Sequence, residues 1–261
     1  MDSLLVAAPT ALALAAGIIG YGAAYPGSQL FGRSVRRTNA ARKLAITFDD
    51  GPNPAITPKL LDLFERHSGH ATFFLIGDFV RQCPALARET AARGHSLANH
   101  THTHPNLFKC GPAEIRDQLQ RCNDAIGEIA AVTPKWFRPP YGLRNPWVIP
   151  AANRMGMQAV MWTLIAWDWK AQSPEWLIPR MAPIAKRAQE SSARSAANNT
   201  SANSSAAQAH GDILCLHDGF HMHLNGDRHC TLAALEYWMP RWRDLGLEFV
   251  TIDQAVRPPA P

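Results

Sequence analysis

The chain has 261 residues, of which 46% are hydrophobic and 18% are charged, so it holds enough apolar material for one large folded domain or two small ones. Its net charge of +5 is mildly positive. However, the basic residues are scattered without interleaved aromatics, which disfavours a nucleic-acid-binding protein. Its five cysteines include no C-x-x-C pair, which disfavours a disulfide framework and a structural zinc site.

Residues 1–32 are the most apolar part of the sequence. The stretch LLVAAPTALALAAGIIGYGAAY is long enough to cross about 30 Å of hydrocarbon as a helix. We therefore predict an N-terminal hydrophobic helix that serves as a transmembrane segment or signal anchor. A cleaved signal peptide is the alternative, although Asp2 stands where such a peptide carries positive charge. The basic residues follow the segment, and the side of the membrane on which the following domain lies stays open.

Strand-like and helix-like patterns alternate over residues 43–257. The predicted strands are KLAIT, ATFFLIG, SLANH, the start of KWFRPPYG, QAVMWTL, DILCLHDG and EFVTID, and the predicted helices are TPKLLDLFERH, ALARETAARG, PAEIRDQLQRCNDAIGEI, PWVIPAANRMG, SPEWLIPRMAPIAKRAQ and TLAALEYWMPRWRDLG. This alternation predicts a parallel α/β sheet or barrel. The Ser-, Ala- and Asn-rich residues 190–210 interrupt it, and we predict that they form a flexible surface insert.

Polar and titratable side chains follow several of these strands. Asp49 and Asp50 end the first strand, and His100 and His104 follow the third. Other strand ends carry Arg138, Tyr141, Asp168, Trp169, His217 and Asp218. Because the carboxyl ends of parallel strands meet at one edge of a sheet, these groups are expected to form one site.

Two imidazoles and one carboxylate form the open ligand set of a catalytic zinc ion. One aspartate could bind the cation, and the other could take a proton from a water that the cation activates. His217 in LCLHDG is the natural candidate to protonate a leaving atom. The residues therefore predict a metal-dependent hydrolase.

The motifs TFDDGP, HTHTHP, RPPYG, WDW and LCLHDG occur in this order. The ordered set resembles the polysaccharide deacetylases of carbohydrate esterase family 4, which share the nodulation-type chitooligosaccharide deacetylase homology domain. The resemblance implies a distorted (β/α) barrel of about seven parallel strands. It also implies removal of N-acetyl groups, or less readily O-acetyl groups, from a polysaccharide, peptidoglycan or glycolipid sugar.

The resemblance also assigns roles at the metal. Asp50, His100 and His104 would be the metal ligands, and Asp49 would be the general base. Arg138 would hold Asp49 in place. The default ion is Zn²⁺, and Co²⁺ or Ni²⁺ would suit the same ligands.

Further roles follow for the residues around the bond to be cleaved. The backbone N–H of Tyr141 would stabilise the oxyanion, and His217 would be the general acid. Asp168 would orient His217, and Trp169 would shape the groove. The pocket for the acetyl methyl group would be lined by Leu214 and Leu216.

Several neighbouring residues are predicted to lie outside the proposed chemistry or to have a secondary role in it. His102 is expected to be exposed and not a ligand, and Trp167 to be a core residue. The imidazoles of GFHMHLNGDRHC (His221, His223 and His229) are expected on a mobile loop at the rim, and Asp218 is an alternative group at the metal. The motif with WDW departs from the family pattern, because Ile165 stands where an aspartate is usual.

The sequence thus predicts a membrane-anchored deacetylase of the cell envelope. Its partners would be an acetylated sugar polymer or glycolipid and the membrane, with no nucleic acid. Two alternatives stay open: a hydrolase of a small non-sugar amide or imide, and a catalytically inactive carbohydrate-binding membrane protein.

Overall fold

The computed structural model describes residues 2–198 and 210–256. The strands of this part are β1 (Ser34–Val35), β2 (Lys43–Gly51), β3 (Thr72–Leu75), β4 (Ser96–Asn99), β5 (Trp136–Phe137), β6 (Gln158–Val160), β7 (Leu164–Ile165), β8 (Ile213–His217) and β9 (Glu248–Phe249). The helices are α1 (Asp2–Ala24), α2 (Thr57–Arg66), α3 (Gly77–Gln82), α4 (Pro84–Ala92), α5 (Pro112–Ala130), α6 (Val148–Arg154), α7 (Pro174–Asn198), α8 (His229–Asp244) and α9 (Ile252–Ala255).

The strands form one curled sheet in the order β1-β6-β5-β4-β3-β2-β8-β7, and β9 also pairs with β2. All of these strand pairs are parallel. In the described part of the chain, no strand pairing joins β1 to β7, so the sheet is an open barrel. The predicted parallel (β/α) barrel is confirmed, with eight strands on its main path instead of about seven.

The long strand β2 lies inside the sheet, between β3 and β8, and its composition explains this place. Eight of its nine residues are buried, as expected for a strand covered on both faces. Helices pack outside it, and α5 shows how they do so. Its buried residues Ile115, Leu119, Cys122 and Ile126 recur at helical spacing and form one apolar face. The strand ends are consequently held on a rigid core.

The N-terminal residues form helix α1, but the membrane-spanning prediction for residues 1–32 is not supported. Within the part of the chain that the structure describes, no helix is both long and apolar enough to cross a membrane. The segment after α1 instead packs on the barrel. The buried Arg144 side chain donates to the carbonyls of Tyr25, at 2.6 Å, and Ser28, at 3.1 Å.

The predicted flexible insert is partly corrected. Helix α7 continues to Asn198 and so includes the first residues of the 190–210 segment. Residues 199–209 lie outside the described part of the chain.

The backbone of Gly219 packs directly on the end of β2. A Cβ atom at Gly219 would lie 1.9 Å from the carbonyl oxygen of Asp50 and 2.5 Å from its carbonyl carbon. We expect Gly219→Ala to lower the free energy of unfolding by about 1–3 kcal/mol, because two stretches of backbone must separate. Urea unfolding followed by circular dichroism measures this change.

Gly127→Ala is the matched control. Gly127 is exposed on α5, and the nearest atom to its added Cβ would be 3.9 Å away. The helix should gain up to about 1 kcal/mol from this change. Equal stability of the Gly219→Ala variant and the unaltered protein would show that the close contact is not a constraint.

Candidate metal centre and active site

The end of β2 explains how two adjacent aspartates can serve one site. Neighbouring side chains of a regular strand point to opposite faces. Here Asp50 has a left-handed backbone, with φ of 70°, and the register with β3 shifts between Asp49 and Gly51. Both buried carboxylates consequently line the same cavity.

Asp50, His100 and His104 form a compact group of possible metal ligands. Their ligand atoms all lie within 4.8 Å of one another, and all three residues are buried. Asp50 Oδ1 lies 3.5 Å from His100 Nε2 and 3.2 Å from His104 Nε2. Burial raises the pKa of Asp50, but contacts with three imidazoles outweigh it and hold the pKa well below its usual value. This carboxylate is therefore ionised at neutral pH.

The donor set fits a divalent cation. Asp50 Oδ1 is buried and has no hydrogen-bond partner among the described residues, which is costly unless a ligand satisfies it. His100 Nδ1 lies 2.8 Å from the carbonyl oxygen of Arg138, and donation there leaves Nε2 with a free lone pair. The three predicted ligands thus lie together, and the His100 ring is oriented with Nε2 toward Asp50.

A second cluster, formed by Asp49, Cys215 and His217, is also close enough to share an ion. Its groups are already engaged, because Asp49 pairs with Arg138 and His217 with Asp168. Burial, followed by the charge of Asp49, raises the pKa of the Cys215 thiol well above its usual value. Since metals bind the thiolate, this cluster is a poor metal site.

Arg138 is fully buried and pairs with Asp49. Its Nη1 donates to Asp49 Oδ1 at 2.6 Å and to the Thr47 hydroxyl at 2.8 Å. Its guanidinium carbon lies 4.1 Å from the centroid of the Phe74 ring. Asp49 Oδ2 is not taken by Arg138 and lies 3.9 Å from His100 Nε2. One oxygen is thus anchored while the other stands beside the candidate metal ligands.

His217 and Asp168 form a hydrogen-bonded pair on the β8 side of Asp49. His217 Nδ1 donates to Asp168 Oδ1 at 2.9 Å, and its backbone N–H donates to Oδ2 at 2.7 Å. The Thr231 hydroxyl also donates to Oδ2. Burial lowers the pKa of His217, but the charge and hydrogen bond of Asp168, aided by Asp50 and Asp49, raise it to about 9. The imidazole therefore carries a proton at neutral pH.

One cavity of about 400 Å³ is lined by Asp49, Asp50, His100, His104 and His217. Its wall also includes Ala24, Pro26, Tyr141, Gly142, Trp162, Ile165, Trp167, Trp169, Cys215, Phe220, His221 and Arg228. Tyr141 and Trp169 thus lie at the cavity, as predicted. The Tyr141 ring packs at 4.7 Å from His104, and the Trp169 ring at 4.8 Å from His217.

Two predictions about the lining are wrong. Leu214 and Leu216 belong to the core between sheet and helices, because alternation along β8 turns Cys215 and His217 toward the cavity instead. Trp167 is not a core residue. Its side chain is 47% exposed at the cavity and 5.1 Å from Trp169, since a left-handed backbone with φ of 60° turns it outward.

The imidazoles outside the metal group also depart from expectation. His102 is buried, although it stays outside the ligand group. His221, expected at the rim, stacks on His104 at 4.4 Å and places Nδ1 3.7 Å from Asp50 Oδ2. Sequence reasoning missed this contact. The pattern that could have indicated it is the group of histidines that closely follows LCLHDG. Asp218 instead accepts a hydrogen bond from Thr57 and is not part of the metal group.

The fold and the cavity together define a class of protein. The strand ends of this parallel barrel bring together a group of two histidines and one aspartate, an anchored carboxylate and a protonated histidine. These are the parts of a metal-dependent hydrolase.

Comparisons with known proteins give the family. The family profile described as polysaccharide deacetylase matches residues 36–160. A chitooligosaccharide deacetylase of Bradyrhizobium sp. (strain ANU 289) is 33% identical over 231 residues, covering 85% of this chain and 94% of the relative. A peptidoglycan-N-acetylglucosamine deacetylase of Bacillus cereus (strain ATCC 14579) is 32% identical over 219 residues, covering 84% and 90%. The chain belongs to the polysaccharide deacetylase family.

Solved structures show the same fold. The crystal structure of a peptidoglycan N-acetylglucosamine deacetylase in complex with an N-oxidanyl-benzamide has a TM-score of 0.69 at 28% identity, and the alignment covers 85% of this chain and 92% of that one. A family 4 pseudoenzyme from Bacillus anthracis has a TM-score of 0.70 at 24% identity, and the alignment covers 86% and 69%. The latter likeness concerns the fold alone.

Removal of one candidate ligand should weaken metal binding without unfolding the barrel. We expect the protein to bind one Co²⁺ or Zn²⁺ ion and His104→Ala to weaken this binding at least about tenfold, because one of three protein ligands is lost. Isothermal titration calorimetry measures stoichiometry and affinity. His223→Ala is the control, since His223 is exposed, lies outside the ligand group, and has its ring Nδ1 2.9 Å from the carbonyl oxygen of Leu224. Equal affinities in both variants would contradict the assigned ligand set.

Proposed function

We propose that this protein hydrolyses N-acetyl groups on the glucosamine units of a polysaccharide such as chitooligosaccharide or peptidoglycan. The observation that carries the proposal is the meeting of three units in one cavity. These are the carboxylate of Asp49 on Arg138, the Asp50–His100–His104 group, and the His217–Asp168 pair. The named relatives support the substrate class, because they are chitooligosaccharide and peptidoglycan deacetylases.

The metal would be held by Asp50, His100 and His104, and Zn²⁺ is the proposed ion because catalytic zinc favours two imidazoles and a carboxylate. Co²⁺ and Ni²⁺ accept the same donors. When bound, such an ion polarises a carbonyl group and acidifies a water molecule.

Asp49 and His217 would then move the protons. Asp49 Oδ2 faces the ligand group while Arg138 holds Oδ1, so this carboxylate can accept a proton from the attacking water. Asp49 and His217 are direct partners in the register of β2 and β8, which places base and acid side by side. His217 starts protonated, and it can donate its proton to the departing amine. The backbone N–H of Tyr141 is proposed to stabilise the oxyanion.

The rim of the cavity suits a sugar chain. Tyr141, Trp167 and Trp169 are partly exposed there, and flat aromatic faces pack well on the apolar faces of sugar rings. A small amide or imide would leave these rings uncovered. Because acetylated polymers of this kind lie in the cell envelope, we propose that location for the protein.

Acetate release from N-acetylated chitooligosaccharides and peptidoglycan fragments tests the proposal. The full chain loaded with Zn²⁺ or Co²⁺ is required, because Ala24 and Pro26 form part of the cavity wall. We expect Asp49→Asn and His100→Ala each to reduce kcat/KM at least about 10²-fold, since one removes the base and the other a ligand. Asp124→Asn, on the exposed face of α5, should retain activity.

Two outcomes would contradict the proposal. Acetate release that persists in Asp49→Asn would show that the reaction uses another base. Metal binding without release from any acetylated sugar would favour a non-sugar amide substrate or an inactive binding protein.

The pKa of His217 predicts a pH dependence. The acid form is present below about pH 9 and is lost as the pH rises through that value, so kcat/KM should fall at alkaline pH. In Asp168→Asn the main influence that raises this pKa is removed while burial still lowers it. The alkaline limb of the pH profile should therefore move toward lower pH.

The control for this shift is Asp227→Asn, which removes a carboxylate that pairs with the exposed His229. Its pH profile should match that of the unaltered protein. An alkaline limb that stays in place in Asp168→Asn would show that His217 is not the acid.

A further inference from the structure

Arg228 lines the same cavity as the proposed catalytic groups, yet the mechanism does not use it. It immediately precedes α8, and its guanidinium carbon lies 5.6 Å from the centroid of the Phe220 ring. The Phe220 ring lies in turn 5.1 Å from His221, which reaches Asp50. Arg228 is thus one aromatic side chain away from the residues around the metal group.

The guanidinium of Arg228 has no carboxylate partner among the described residues. Its Nη1 donates to the backbone carbonyl of Asp227 at 2.8 Å, which leaves the Nε–Nη2 edge without a partner in this part of the chain. The Nε atom is buried and makes no hydrogen bond there. An unsatisfied donor on a charged group is costly, and because Nε is covered by protein atoms, the side chain has to turn toward the cavity that it lines before a ligand can accept from this edge.

The nearby acidic groups are already committed to other partners. Asp49 is bound to Arg138, and Asp50 lies against His100 and His104 in the candidate metal-ligand group. The Asp227 carboxylate receives the ring of His229 at 2.8 Å instead of its neighbour Arg228. The guanidinium of Arg228 therefore has no carboxylate partner among the described residues, and it can pair with an acidic group that enters the cavity from outside the chain.

We propose that Arg228 binds an oxyanion carried by the substrate, so that the preferred substrate is an acidic acetylated glycan. The paired Nε–H and Nη2–H of a guanidinium match the two oxygens of a carboxylate or a phosphate. This inference rests on the proposed function, and it narrows the substrate class within it. The apolar wall formed by Trp162, Ile165 and Trp167 would hold the uncharged part of the sugar.

Matched pairs of ligands test this proposal on the full, metal-loaded chain. One pair is the N-acetylglucosaminyl-N-acetylmuramic acid disaccharide and its methyl ester, which differ only in the carboxylate charge. The other is N,N′-diacetylchitobiose 1-phosphate and N,N′-diacetylchitobiose. Binding is followed by quenching of the cavity tryptophans, and turnover by acetate release.

We expect the unaltered protein to favour the charged member of at least one pair roughly 10- to 100-fold, as for a hydrogen-bonded charge. The pair that shows this preference identifies the anion as carboxylate or phosphate. In Arg228→Gln the preference should disappear, and Arg228→Lys should restore part of it, because charge returns without the planar edge. Arg241→Gln is the control, since Arg241 lies near the far end of α8 and contacts Tyr237.

The failures of the two proposals are distinguishable. No charge preference in either pair, or a preference that persists in Arg228→Gln, would overturn the role of Arg228. Charge-dependent binding without acetate release from any ligand would support the anion site while contradicting the proposed deacetylation.

Discussion

The contact between Arg138 and Asp49 is the interaction on which the rest of the site depends. The guanidinium is fully buried and joins three strands, because it reaches Asp49 and Thr47 on β2 and the Val160 carbonyl on β6 from its place after β5. Removal of one member of a buried ion pair usually costs about 3–5 kcal/mol, since the other charge is left uncompensated. The same contact orients the carboxylate beside His100. Packing of the barrel and placement of the proposed base are therefore one structural feature.

The site also depends on unfavourable backbone conformations. Asp50, His104, Tyr141 and Trp167 all have φ between 59° and 70°. A left-handed conformation costs a non-glycine residue roughly 1–2 kcal/mol. Such conformations persist where surrounding structure enforces them, and they cluster at functional sites. Here they aim two candidate metal ligands and two aromatic rings of the rim at a single cavity, which regular strands could not do.

The N-terminal segment contributes to the same cavity. Arg144 ties the turn after α1 to the barrel through the carbonyls of Tyr25 and Ser28, and this places Ala24 and Pro26 at the cavity wall. The loop before α8 supplies His221 and Arg228. The strand ends thus provide the residues of the proposed chemistry, while these two connecting segments complete the wall around the substrate.

The sequence by itself determined the alternation of strands and helices and the candidate metal ligands at the strand ends. Apolar runs and helical periodicity are local, and the spacing of Asp50, His100 and His104 reflects the order of the strands. Only the tertiary structure decided which neighbouring side chains face the cavity. Residue type alone does not show that the backbone of Trp167 is left-handed and its side chain exposed. Nor does it show that β8 turns the side chains of Leu214 and Leu216 into the core. The contact of His221 with Asp50 depends on how residues far apart in the chain pack together, and no local pattern records that packing.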